Sequence, residues 1–242
     1  MDFQKQFLVN NDCYKSGKTI KVKGLMLHST GANNPYISRY VQPDDGKLGK
    51  NKHNNHWNQG GIRKCVHGFI GLDTNGNVCT YRTLPWNMRG WHAGGKANDT
   101  HIGIEICEGD LDDKVYFAKV YKEAVEVFAH LCKTHDLTEK DIIDHAEGRK
   151  KGIASNHGDI GHWFPKHGKS MDTFRADVKA LLKKETVKVE APVKTGGTST
   201  KTVTQLAQEV IRGAHGSGRE RMLSLGSRYA EVQQEVNRLM RK

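Results

Sequence analysis

At 242 residues the chain has room for one medium-sized domain and a smaller second one. Its 38 Lys and Arg against 27 Asp and Glu leave a net charge of +11, which favours an anionic partner: nucleic acid, anionic lipid or an anionic cell wall. No RNA-binding aromatic signature, zinc-finger spacing or regular basic helix accompanies that charge, so nucleic acid is set aside; no run reaches the roughly 20 apolar residues of a membrane span.

Five cysteines, an odd number with no Cys-x-x-Cys pair, argue against a disulfide framework and for synthesis in a reducing cytosol. The segment after Met1 has no apolar core, so no secretory signal is expected; a protein made this way and acting outside the cell would need another route of release. Short apolar runs predict strands over Gly24–His28, Val66–Leu72, Asn77–Arg82, Ile102–Cys107 and Ile142–Asp144. Asp73-Thr74-Asn75-Gly76-Asn77 joins two of them with hairpin chemistry, because Asn-Gly accepts positive φ. Three- and four-residue apolar spacing predicts helices over Tyr116–His135 and Met171–Lys184, with Asp172 in the first turn of the second, where the helix dipole favours a carboxylate. Residues 185–201 read as a linker containing one Pro and a Gly-Gly pair. Beyond it, three short helices are expected: one capped by Thr204 and carrying Leu206, Val210 and Ile211, one over Arg219–Leu225, and one over Ala230–Met240. The fold class expected is α/β, a mixed central sheet flanked by helices, plus a small C-terminal three-helix bundle. The domains expected are 1–184, the linker 185–201, and 202–242.

His28 and His145 each close an apolar run beside small or polar residues, and Glu105 is embedded in a third run, Ile102-Gly103-Ile104-Glu105-Ile106-Cys107. Two imidazoles and a carboxylate on rigid strands suit a catalytic zinc site with one open coordination position. His28-Ser29-Thr30, Val66-His67-Gly68-Phe69-Ile70, Trp91-His92-Ala93-Gly94, Ile102-Gly103-Ile104-Glu105 and His145 follow one another in that order. Together they resemble the type 2 N-acetylmuramoyl-L-alanine amidases, the superfamily of phage endolysins and peptidoglycan recognition proteins, over roughly residues 20–183.

The resemblance implies Zn²⁺ held by two histidines, His28 and His145, and a third Cys or Asp, with a water that attacks the amide between muramic acid and L-alanine. Glu105 matches the family's general base. In the family, the third ligand follows the second histidine in a Lys-x-(Cys/Asp)-Pro-Gly pattern. After His145 comes a Gly- and His-rich stretch, Arg149–His167, and then Lys169-Ser170-Met171-Asp172. Asp172 is taken as the third ligand, with His162 as the alternative, and Lys169 as the cation that stabilises the oxyanion. His67, His92 and Trp91 match positions lining the substrate cleft. The segment from Leu206 to Asn237 resembles the wall-binding repeat of pneumococcal phage lysins, with His215 in place of a tryptophan and Arg212, Arg219, Arg221 and Tyr229 as candidate ligand contacts. The resemblance implies an endolysin, or a prophage-encoded autolysin, that acts on the peptidoglycan of Gram-positive walls after release, with self-association through the C-terminal module as a further expectation. The alternatives are a wall-binding protein without hydrolysis and a zinc peptidase that cuts the stem peptide.

Overall fold

The computed structural model describes residues 3–190, 201–215, 221 and 224–240. The chain divides into two compact units, Met1–Lys188 and Val189–Lys242. The first is built on a six-stranded sheet: β1 (Gln4–Lys5), β2 (Gly24–Ser29), β3 (Gly68–Leu72), β4 (Val78–Arg82), β5 (His101–Ile106) and β6 (Ile142–Asp144), in the order β1-β4-β3-β5-β2-β6. Only β3 and β4 pair antiparallel, through the expected Asn-Gly turn, in which Asp73 accepts from the backbone N–H groups of Asn75 and Asn77. The other pairings are parallel. Parallel strands are covered on both faces, which accounts for β2 being buried at all six positions. Five strands lie where the apolar runs placed them, within two residues at each end; β1 was not anticipated.

Side-chain alternation divides the core. Leu25, Leu27, Ile102, Ile104 and Ile106 face the helices α2 (Lys114–Thr134) and α4 (Met171–Glu190) in one large apolar cluster with Phe128, Trp163 and Phe174. The intervening positions, Met26 and His28 on β2 and Gly103 and Glu105 on β5, therefore point to the other face, where Met26 packs with Ala93, Ala97 and Ile143. In the β2–β5 register His28 lies beside Glu105. That register alone brings the first histidine and the embedded carboxylate together at the carboxyl ends of adjacent parallel strands, where sites form in α/β sheets. Helix α1 (Asp12–Lys15), capped by Asn11, and α3 (His145–Lys150), capped by Asp144 and Glu147 in a capping box, complete the unit.

Helix α4 runs on through residues 185–190, the expected start of the linker. The second unit contains α5 (Val203–Ile211) and α6 (Tyr229–Met240), with Leu206, Ala207, Val210, Leu225, Val232 and Val236 forming its core. The cap of α5 is Thr202, in a capping box with Gln205, rather than Thr204. The helix expected over Arg219–Leu225 falls largely outside the described residues. No described helix is long and apolar enough to cross a membrane.

Candidate metal centre and its cleft

A cavity of about 580 Å³ opens at the carboxyl ends of β2, β5 and β6, lined by His28, Glu105, His145, Asp159, His92 and Trp91 among others. His28 reaches it from β2, and His145 as the first residue of α3. Asp159 opens a 3-10 turn, Asp159–His162, with a left-handed φ of 39°, a conformation that Asp tolerates better than most residues. Asp159 Oδ2 lies 2.9 Å from His28 Nδ1 and 3.1 Å from His145 Nδ1. The ligand atoms of all three residues lie within 4.8 Å of one another.

The hydrogen bonds behind the histidines fix which nitrogen faces the carboxylate. Burial, with the neighbouring His28 and His67, pushes His92 well below the usual imidazole range and keeps it neutral. His92 Nε2 donates to the His101 carbonyl at 3.1 Å, so His92 Nδ1 accepts from His28 Nε2 at 2.9 Å. That leaves the lone pair of His28 Nδ1 aimed at an anionic oxygen. His145 follows the same logic. Ser155 Oγ donates to the Ala93 carbonyl and accepts from His145 Nε2 at 3.1 Å, which turns the His145 Nδ1 lone pair toward Asp159. Two lone pairs and a carboxylate oxygen in contact require a cation between them, a proton or a metal. The donor set, two imidazoles and one carboxylate with outer hydrogen bonds in place, fits zinc.

Glu105 faces the same cavity, and its buried Oε2 has no hydrogen-bond partner among the described residues. Burial, reinforced by Asp159 and Glu108, pushes its carboxyl well above the usual range, with Lys64 opposing. The cleft wall depends on two close fits. Asn98 Oδ1 accepts from the backbone N–H groups of His92 and Ala93 at 2.9 and 2.8 Å, pinning that turn. Gly103 leaves room for the His92 ring, since a Cβ there would lie 2.6 Å from His92 Cγ.

The expected site residues divide accordingly. His28, His145, Glu105, His92 and Trp91 all line the cavity. Asp172 does not: its side chain is 91% exposed in the first turn of α4 and pairs with Arg175 at 2.6 Å, so it is a helix-start carboxylate. Lys169 is engaged elsewhere as well, 3.0 Å from Asp177 and over the Tyr121 ring. His162 bonds Glu108 Oε2 at 3.1 Å rather than joining the cluster. His67 is fully buried outside the cavity lining, with both ring nitrogens used: Nδ1 accepts from Gly103 N and Nε2 donates to the Met88 carbonyl. Burial lowers it to about 4, so it stays neutral, a structural rather than substrate-contacting residue.

Sequence reasoning missed Asp159 and His157. The signal was present, because His157-Gly158-Asp159 keeps the x-spacing of the Lys-x-(Cys/Asp) pattern with histidine in place of lysine. His157 lines the cleft, its ring centroid 4.7 Å from that of His145, and its Nδ1 lies 3.1 Å from Ser155 Oγ. In the second unit, His215 is tied to Ser224 and Glu209. Arg212 bonds the Gln208 carbonyl of its own helix, Arg221 bonds Gln233, and Tyr229 packs on the small core. Arg219 lies outside the described residues.

The family model described as N-acetylmuramoyl-L-alanine amidase matches residues 18–162, a span that includes His28, Glu105, His145 and Asp159 and ends before Lys169 and Asp172. The chain belongs to the N-acetylmuramoyl-L-alanine amidase family. A CW_7 repeat matches residues 204–240 of this family member. A probable N-acetylmuramoyl-L-alanine amidase of Bacillus licheniformis is 32% identical over 95 residues, 39% of this chain. The amidase-family chain thus spans about a quarter (24%) of that relative's length. Among solved structures, PlyL matches with a TM-score of 0.53 at 20% identity, over 74% of this chain and 98% of PlyL. The Staphylococcus aureus hydrolase AmiA, in complex with its ligand, matches with a TM-score of 0.55 at 18% identity, over 78% of this chain and 86% of AmiA. These likenesses show the amidase fold.

Proposed function

We propose that the chain is a zinc-dependent peptidoglycan amidase of the endolysin type, which cleaves the amide between N-acetylmuramic acid and L-alanine, with His28, His145 and Asp159 as the metal ligands. The observation that carries this reading is the convergence of two imidazole lone pairs on Asp159 in a cleft that also holds the unpartnered carboxyl of Glu105. Zinc, when bound, supplies Lewis acidity toward the scissile carbonyl and lowers the pKa of water. Glu105 takes the proton of the attacking water at its carboxylate and returns it to the leaving alanine nitrogen; a carboxyl held above its usual range suits both transfers. His157, at the place of the family's lysine, is positioned to donate to the oxyanion that develops on the carbonyl. His92 and Ser155 orient the two ligand imidazoles.

The complete donor set favours hydrolysis over wall binding without cleavage. The CW_7 match over residues 204–240 supports retention on the wall by the second unit, and the charge of +11 supports attraction to an anionic, Gram-positive-type wall. Action on the wall after release, and self-association through the second unit, complete the reading. The test is metal removal. EDTA-treated protein is expected to stop releasing wall fragments and to recover with stoichiometric zinc, while Glu105→Gln binds zinc and stays inactive. Full activity of metal-free protein, or of Glu105→Gln, would overturn the mechanism.

A further inference from the structure

The cavity that holds the His28, His145 and Asp159 cluster, at about 580 Å³, is much larger than one amide and one water require, and part of its lining is cationic. Arg63, Lys64 and Arg89 line it, alongside Trp57 and Trp91. Arg89 is neutralised by Asp99 at 2.6 Å. Arg63 and Lys64 have no ion-pair partner among the described residues. Among the described residues, the carboxylates lining this cavity are Glu105 and Asp159, both assigned to the proposed chemistry.

The backbone at Lys64 is held in place. Its carbonyl accepts from Asn11 Nδ2 at 3.1 Å, and that wholly buried asparagine also bonds the Trp57 carbonyl at 2.7 Å. The next residue, Cys65, pairs with Trp91 through both backbone groups, at 3.1 and 2.9 Å. The Lys64 ammonium lies 4.8 Å from the centroid of the Trp57 ring, a cation–π contact that favours this side of the cleft. Two exposed cations without an ion-pair partner among the described residues, on an anchored segment that lines the reaction cleft, make a binding place for an anion carried by the substrate.

We propose that Arg63 and Lys64 form a subsite for a free carboxylate on the peptide side of the substrate, so that the substrate class is an acidic stem peptide in preference to its carboxamide. This rests on the amidase reading above, which supplies the peptide. A guanidinium and an ammonium gain far more from a carboxylate than from a neutral amide, because only the carboxylate offers a charge-assisted acceptor. The contact is to a group other than the scissile amide, so it acts through substrate binding and enters KM more than kcat.

The experiment uses two synthetic muramyl peptides that differ only in the α-carboxyl of the residue after L-alanine, free in one and amidated in the other, cleaved by the full chain. The acid is expected to be preferred by about tenfold or more in kcat/KM, chiefly through KM. In the double variant Arg63→Gln/Lys64→Gln the preference falls to within about twofold, and Lys64→Arg keeps it. The zinc-dependent thermal shift of the double variant checks that it folds with its metal centre intact. Equal kcat/KM for the two peptides in wild type overturns the subsite, as does a preference that survives in the double variant. Failure of wild type to cleave either peptide overturns the amidase reading instead.

Discussion

Replacing Asp159 by Asn separates the metal centre from the rest of the fold. The carboxamide is isosteric, but it offers a neutral oxygen where two lone pairs and a carboxylate now meet at 2.9 and 3.1 Å. In the metal-free protein the Asn amide can donate to one of those lone pairs, so the variant should lie within about 1 kcal/mol of wild type without zinc. With zinc the two diverge. At a zinc concentration 100 times the wild-type Kd, binding stabilises the native state by about 2.7 kcal/mol. For a unit spanning residues 1–188 that corresponds to a rise in Tm of about 5–10 °C. If the substitution weakens zinc about 100-fold, the same concentration yields only about 0.4 kcal/mol, roughly 1 °C. Differential scanning fluorimetry with and without zinc reads this directly, with Asp172→Asn as the control expected to keep the full shift. A full shift in Asp159→Asn, or its loss in Asp172→Asn, would refute the ligand assignment.

Four further outcomes follow from the same geometry. Glu105→Gln should lower kcat by about 10²–10⁴-fold with zinc content unchanged. The same variant should gain stability over wild type as pH rises above the ordinary carboxyl value of 4.5, because a carboxyl whose folded-state pKa is raised loses stability on ionising; chemical denaturation of the metal-free proteins at pH 4 and pH 7 checks the sign. Lys169→Met removes a partly exposed pair with Asp177 and should cost no more than about 1 kcal/mol, with activity retained, whereas a lysine acting on the oxyanion would cost orders of magnitude in kcat. Glu108 accepts from Ser29 Oγ, next to the proposed ligand His28, and from His162, in the turn that begins at Asp159. Glu108→Leu should therefore weaken zinc binding by about 10-fold or more in a competition titration against a chelator, with Glu108→Gln in between.

The strands were legible because parallel strands buried on both faces read as apolar runs, and β2, β5 and β6 do so clearly. Alternation along two of those runs was enough to put His28 and Glu105 on one face once the register was known. The third proposed ligand was not legible in the same way. Residues 151–167 form turns and short 3-10 segments with no period to read, and Asp159 acquires its direction from a left-handed backbone rather than from a strand or helix face. Asp172 attracted the assignment because it follows a lysine and precedes an aromatic-bearing helix, as the family pattern does, yet that position is explained by the helix dipole and Arg175 alone. His67 misled for a different reason. Its neighbours in sequence resemble a cleft strand, but its ring turns inward, where two backbone groups satisfy it.

The scissile bond itself is the most direct test. Purified wall digested with the zinc-loaded protein, and analysed by mass spectrometry after derivatisation of new amines, should show stem peptides with free L-alanine amino termini and glycan strands with intact muramic acid. New D-amino-acid termini, or new reducing sugar ends without free alanine, would contradict the amidase account.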